Sequence, residues 1–456
     1  MNWRREKLVD LTEGDERYIT KGELSFIGED KIEPTLASFE ELVRVTPDWS
    51  GQGYHFRAES KVGVIATHGL RVQVRPKLAA GEFCAMLRYA LSGRISATRL
   101  RASSDYSWAY GFENALGMLL CDEVTEINRV GLSRRYEERI EPLDLLRGRV
   151  LWEKNFPWRG AKSRQIVCRY NRLTYDNLDN RILLGGLRRA TALIDHREVK
   201  AGLMQHCRLF SDLALEMDLD ISQLDSAGQR YNRLNEHYRV AHALAKMFLF
   251  SLRPKSFFQR GSNVIPGVVL DMAWLFEKFV ERYVRDIFDR VDVTVRSQSS
   301  DYLAMLDAEG HSYASVRPDL EVWSSGKLVG IIDAKYKAYW QGKEQGQKPE
   351  RKISNEDLYQ MFFYQLRMQK RHNLTRPPLA VIAAPMPADD ERGNAPLVAE
   401  RFKKIAFQAA AERAGEVRLL LVPMTGLLRR LSEGIHPSDS THASDLLHCF
   451  LAQERC

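Results

Sequence analysis

Arg317-Pro318-Asp319-Leu320-Glu321-Val322-Trp323, then Ser324-Ser325-Gly326-Lys327, then Leu328-Val329-Gly330-Ile331-Ile332-Asp333-Ala334-Lys335: this stretch decides how the last third of the chain is read. Its two flanks have strand composition, and the polar Ser-Ser-Gly-Lys between them is a hairpin signal. A hairpin of this length brings the start of one strand beside the end of the next. Asp333 and Lys335 are two apart, so on a strand they project from the same face. Two carboxylates, Asp319 and Asp333, and one ammonium, Lys335, are therefore expected to converge. Such a group suits a hard divalent cation and a water held against a phosphodiester. Asp-x-Lys alone is common, and a solvated strand end with an exposed ion pair is the plain alternative. Asp333, however, ends the apolar run Val329, Ile331 and Ile332. A carboxylate there needs a partner or a metal, because an isolated buried charge is costly.

The flanking sequence extends the pattern. From Leu270 to Val284 the periodicity is helical: Leu275, Phe279, Tyr283 and Ile287 form one stripe, with Phe276, Val280 and Val284 alongside. Glu277 sits at the border of that stripe, where a carboxylate can reach inward. Asn355 to Leu366 also reads as a helix, and Gln360 and Tyr364, at i and i+4, share one of its faces. Taken separately, Glu277 reads as a surface charge and Tyr364 as a core aromatic. The order Glu, Pro-Asp, Asp-x-Lys, Gln-x-x-x-Tyr, on helix, strand, strand and helix, favours a site.

Residues 277–364 resemble the PD-(D/E)XK nuclease superfamily, and the Gln-x-x-x-Tyr helix is similar to its RecB-like branch. The resemblance implies metal ligands at Asp319 and Asp333, with the helical acid most plausibly at Glu277. It implies a catalytic lysine at Lys335 and supporting residues at Gln360 and Tyr364. A second resemblance covers more of the chain. Val62 to Leu78, Pro142 to Val150, and Leu173-Thr174-Tyr175-Asp176-Asn177-Leu178-Asp179-Asn180-Arg181-Ile182-Leu183 with Leu187-Arg188-Arg189 are similar to segments of the McrC family. McrC proteins are the nuclease subunits of McrBC-type restriction systems. The Asp-Asn-Leu-x-Asn-Arg stretch is the most distinctive of these; bracing the start of the following helix and direct function are equally open for it.

The McrC resemblance implies a separate McrB-like AAA+ GTPase, assembled as a hexameric ring, that recognises methylated double-stranded DNA. It implies further that the N-terminal part engages the ring and stimulates GTP hydrolysis while the C-terminal domain cuts. Consistently, no Gly-x-x-x-x-Gly-Lys-Ser/Thr occurs in the chain, so it is no P-loop motor itself. The implied chemistry is Mg²⁺-assisted hydrolysis, with Asp319, Asp333, the Ala334 carbonyl and Glu277 as ligands and Lys335 orienting or helping to deprotonate water. A nearby cation should depress the pKa of Lys335 and open a base role. The basic segment Arg129, Arg134, Arg135, Arg139, Arg147 and Arg149 is a hypothesised ring contact.

Composition agrees without deciding. Lys and Arg number 67 against 60 Asp and Glu, a balance of +7 that mildly favours an anionic partner such as DNA. The six Cys (84, 121, 168, 207, 449, 456) include no Cys-x-x-Cys pair, which argues against structural zinc and for reduced thiols in a cytosol. The tail with His442, His448, Cys449 and Cys456 fits no zinc spacing and reads as helical. No signal peptide and no membrane span are read, so a cytoplasmic protein without membrane contact is expected.

The fold class expected is α/β (α+β overall) in three parts. Residues 1–80 read as a β-rich, partner-binding domain. Residues 81–255 read as mainly helical, with a basic strand-containing insertion near 129–170. Residues 256–456 read as a PD-(D/E)XK nuclease domain whose mixed sheet lies between helices. The loop Gln341 to Lys352 reads equally as DNA-facing or merely solvated. Two rival functions stand beside the McrC reading: a stand-alone RecB-like repair or recombination nuclease, and a non-catalytic ring activator or DNA adaptor. An adjacent AAA+ GTPase gene would favour the McrC reading; metal-dependent cutting by the isolated chain would favour the stand-alone nuclease.

Overall fold

The computed structural model describes residues 7–92, 106–155, 165–215, 231–250, 267–297, 303–306, 312–315, 317–337, 339, 353–386, 402–409, 412–439, 446–448 and 450. The chain forms two compact units, and neither is continuous. One comprises Met1–Glu6, Ile65–Thr67 and Tyr110–Val268; the other comprises Lys7–Val64, His68–Ala109 and Val269–Cys456. These units cut across the linear boundaries at 80 and 255.

The first part of the chain supplies β1 (Lys7–Thr12), β2 (Glu16–Thr20), α1 (Glu29–Ala37), β3 (Val43–Pro47), β4 (Gly53–Ala58), β5 (Lys61–Thr67), β6 (Leu70–Arg75) and α2 (Ala80–Leu91). β4 lies between β2 and β3 in an antiparallel sheet, and β1 pairs in parallel with β6. Between β5 and β6, His68 and Gly69 both have positive φ, 48° and 80°, as a two-residue hairpin loop requires.

The middle of the chain supplies α3 (Phe112–Val130), β7 (Arg135–Leu143), β8 (Arg149–Val150), α4 (Trp152–Asn155), β9 (Ile166–Thr174), α5 (Leu178–Leu193), α6 (Arg197–Leu213) and α7 (Arg239–Phe250). α3, α5, α6 and α7 pack together through buried stripes such as Leu116, Leu119, Leu120 and Val124 of α3 and Ala241, Leu244, Ala245 and Phe248 of α7. β7, β9 and β8 form an antiparallel sheet, with β7 largely exposed.

Here the Asp-Asn-Leu-x-Asn-Arg stretch acquires a physical role. Asn177 caps α5 by accepting from the Asn180 N–H at 3.2 Å, while the Asn180 side chain donates to the carbonyls of Ser133 (3.0 Å) and Tyr175 (2.7 Å). Asp179, almost fully buried, accepts from the Ser133 hydroxyl at 2.8 Å and lies 3.4 Å from Arg135. The segment is a buried polar brace between the helix start and β7.

The last part supplies β10 (Gly267–Asp271), α8 (Met272–Phe288), β11 (Val293–Ser297), β12 (Leu303–Leu306), β13 (Ser312–Ser315), β14 (Leu320–Ser324), β15 (Lys327–Ala334), α9 (Asn355–Arg371), β16 (Leu379–Pro385), β17 (Phe402–Ala409), β18 (Glu412–Val422) and α10 (Met424–Ser432). Six strands form a mixed sheet in the order β11-β14-β15-β16-β18-β17. β15, β16 and β18 are parallel; the remaining pairs are antiparallel. α9 lays Met361, Tyr364 and Met368 on the sheet residues Ile331, Ile382 and Leu419. α8 buries Leu275, Phe276, Phe279, Val280 and Tyr283, and Tyr89 of α2 meets it, with its ring 5.3 Å from that of Phe279 and its hydroxyl 2.8 Å from Asp286. The expected mixed sheet with helices is the one observed.

Cys84, Cys121, Cys168 and Cys207 are free thiols. Among the described residues no helix is long and apolar enough to cross a membrane. The loop 341–352 and the tail residues His442, Cys449 and Cys456 lie outside the described residues.

Candidate active site

The β14–β15 hairpin sets the site. Its antiparallel register pairs Leu320 with Ile332, which puts Asp319, one residue before, opposite Asp333. The Ala334 N–H donates to Asp319 Oδ2 at 2.7 Å, fixing that carboxylate against the end of β15. Lys335 Nζ lies 2.7 Å from Asp333 Oδ2. Asp333 is 2 % exposed. The backbone is held on the other side as well, since the Lys335 N–H donates to the Ala383 carbonyl of β16 at 2.8 Å.

Burial and crowding disturb every ionisation here. Burial, and then the charge of Asp333, push Asp319 up to about 7 against the opposing Ala334 hydrogen bond. Burial also holds Asp333 above the ordinary carboxylate value, with the Lys335 ammonium acting in the opposite sense. Burial alone would lower Lys335, but the charge and hydrogen bond of Asp333, with the charge of Asp319, overcome it and hold the ammonium above the ordinary lysine value. Lys335 is therefore a firm cation beside these carboxylates.

The two flanking helices contribute differently. In α9, Gln360 Nε2 donates to the Tyr364 hydroxyl at 2.7 Å, so the pair acts as one unit. Burial and then the charge of Asp333 raise Tyr364, which is thus within electrostatic reach of the hairpin. Glu277 of α8 acts on both aspartates through its charge, raising each, but its Oε1 lies 3.4 Å from Lys278 Nζ. Among the described residues, no group of three or more His, Cys, Asp or Glu side chains is arranged to hold a metal ion.

Sequence reasoning missed a second cluster one step from the first. Asp357, 3 % exposed in the first turn of α9, accepts from Lys337 Nζ at 2.9 and 3.0 Å and from the Tyr339 and Ser354 hydroxyls, each at 2.5 Å. Burial would raise this carboxyl, but the bonds from Ser354, Tyr339 and Lys337 win and lower it. Ser354-x-x-Asp357 was visible as a helix-start signal. Tyr336, between the two lysines, donates to Glu13 at 3.0 Å and sets its ring 5.6 Å from that of Phe276.

The carboxylate pair itself fits a magnesium ion. Both donors are oxygen, and Mg²⁺ is commonly held by one or two carboxylates while keeping several waters. Two buried acids that each resist ionisation beside the other present a site that a divalent cation would relieve.

Comparison with known proteins follows the same lines. A family model described as "McrBC 5-methylcytosine restriction system component" matches residues 56–374. The type IV methyl-directed restriction enzyme EcoKMcrBC of Escherichia coli (strain K12) is similar, at 23% identity over 268 residues, 55% of this chain and 70% of that protein. Among solved structures, a chain of the refined half-complex from the tetradecameric assembly of Thermococcus gammatolerans McrB AAA+ hexamers with bound McrC matches with a TM-score of 0.56 and 19% identity. That match covers 97% of this chain and all of the other, and shows a shared fold. With the family match spanning most of its length, including the hairpin and the Gln360–Tyr364 helix, this chain belongs to the McrC family of McrBC 5-methylcytosine restriction system components.

Proposed function

We propose that this chain is the DNA endonuclease subunit of a McrBC-type, 5-methylcytosine-dependent restriction system. In this reading it cuts double-stranded DNA by Mg²⁺-dependent hydrolysis while bound to a McrB-like AAA+ GTPase hexamer, whose GTPase it stimulates. The observation that carries the reading is the juxtaposition of Asp319, Asp333 and Lys335 at the end of one hairpin, with Lys335 2.7 Å from Asp333. The PD-(D/E)XK resemblance supports it, as do the similar proteins named above.

Asp319 and Asp333, with the Ala334 carbonyl, would hold the Mg²⁺. When bound, that ion supplies Lewis-acid charge at the phosphate and makes a neighbouring water more acidic. Lys335, kept protonated by its two carboxylate neighbours, offsets negative charge as the phosphorus becomes five-coordinate and orients the attacking water. Gln360 and Tyr364, joined by their hydrogen bond, present a fixed pair of polar groups to the scissile strand. Glu277, whose charge reaches both aspartates, would be the third carboxylate at the metal. No covalent nucleophile is required.

Asp333→Ala tests this directly. With GTP, Mg²⁺ and the McrB-like partner, methylated plasmid should no longer be cut, while folding and partner binding persist. Normal residual cutting by Asp333→Ala would reject the site.

The ring-contact hypothesis for the basic segment needs a different pair of residues from the two most obvious. Arg134 stacks on Tyr175 at 5.1 Å, and Arg135 lies 3.4 Å from buried Asp179, so neutralising either disturbs the fold. Arg139 and Arg149, exposed on β7 and β8, are the cleaner probes. Their neutralisation should lower stimulation of the partner's GTPase more than DNA affinity. The reverse order would assign the segment to DNA.

A further inference from the structure

We propose that Asp357 is a positioning residue for phosphodiester cleavage, clasping the chain just past Lys335 to the helix that carries Gln360 and Tyr364. The proposal rests on the nuclease reading above and adds a residue to it.

Lys335, Tyr336, Lys337 and Tyr339 follow β15 and belong to no helix or strand; backbone bonds from the Lys335 and Lys337 N–H groups hold only the start of this path, and side chains hold the rest. Its residues are tied in different directions. Lys335 reaches back to Asp333; Tyr336 goes to Glu13; Lys337 and Tyr339 both go to Asp357. Asp357 thus receives two of these ties, and it stands one helical turn before Gln360. The hairpin with Asp333 and the helix with Gln360 are separate in sequence. Asp357 is where the chain leaving one is hydrogen-bonded to the other.

Capping of α9 does not account for this. The Ser354 hydroxyl already accepts the Asp357 N–H at 3.2 Å, the ordinary bond of a helix start. Lys337 and Tyr339 add nothing to that need. A nearly buried carboxylate paired with a lysine is at best a weak source of stability, because desolvation consumes most of the attraction. What such a pair gives is fixed geometry, and displacement of reacting groups by about 1 Å can cost about a hundredfold in rate.

The test uses the full chain with its McrB-like partner, GTP, Mg²⁺ and methylated plasmid. Asp357→Asn and Lys337→Met should each lower kcat by roughly ten- to a hundredfold while KM for DNA stays within about twofold. The double variant should be no worse than the weaker single, because both changes open the same clasp. Lys337→Arg, which keeps the cation, should recover most of kcat. DNA binding with Ca²⁺ in place of Mg²⁺ should be unchanged throughout. Normal kcat in Lys337→Met, additive losses in the double variant, or a loss confined to KM would each overturn the proposal. Should Asp357→Asn not fold, the half-exposed Lys337 supplies the decision through its Met and Arg variants. A wild-type complex that does not cut rejects the nuclease reading, and the clasp with it. Wild-type cutting beside unimpaired Lys337→Met rejects the clasp alone.

Discussion

Asp319 titrates at about 7 in the folded chain, whereas a free aspartate ionises near 3.8. Between those values the native state binds a proton that the unfolded chain has released. Stability from this group is therefore present at low pH and is lost as pH rises from about 4 to about 7. Asp319→Asn keeps an acceptor for the Ala334 N–H but removes the charge. Its melting temperature without divalent ions should exceed that of the wild type at pH 8, and the difference should vanish toward pH 4. An equal difference at both pH values would contradict the assigned cause. In the proposed nuclease reading the same ionisation governs metal loading. Calorimetry should show Mg²⁺ binding more tightly at pH 8 than at pH 6, with proton release near neutrality, and Asp319→Asn should abolish that release.

Elements in this molecule are positioned by close approach as much as by apolar stripes. A Cβ on Gly186 of α5 would stand 2.3 Å from Ala245 Cβ and 2.6 Å from its Cα on α7, so backbone and not merely a side chain would have to move. Gly186→Ala should destabilise the helical unit by about 1–3 kcal/mol, read by thermal unfolding. A neutral or stabilising outcome would show that the two helices can separate freely.

Much of this level was legible in the sequence. The helical patterns of Leu270–Val284 and Asn355–Leu366 were enough to find α8 and α9, and the Ser-Ser-Gly-Lys turn was enough to find the hairpin and the meeting of Asp319 with Asp333. Periodicity is local, and the ties that finish the site are not. Nothing in spacing connects Lys337 with Asp357 or Tyr336 with Glu13, 20 and 323 residues apart. Glu277 shows the converse limit. Its border position on a stripe was readable, but whether its carboxylate reaches the pair depends on Lys278 beside it.

At the scale of the whole molecule, the unit that holds the candidate site is assembled from both ends of the chain, with Tyr110–Val268 belonging to the other unit. A fragment containing only residues 256–456 would keep the hairpin and both flanking helices yet lose Tyr89 against Phe279 and Glu13 against Tyr336. The uncovered apolar face of α8 should make that fragment aggregate or bind a hydrophobic dye, as light scattering or dye fluorescence would show. A monomeric, cooperatively melting 256–456 fragment would refute this account. The linear boundary at 256 is thus a poor place to cut, although sequence pattern alone recommends it.

The bond between Tyr336 and Glu13 also orders events in time. Glu13 is made before residues 110–268 of the other unit, and its partner Tyr336 only after them. Glu13 must wait for its partner, and the tie from Lys337 to Asp357 cannot form until α9 has followed it out. A nascent or prematurely terminated chain therefore carries no finished candidate site, and late completion is written into the order of the chain.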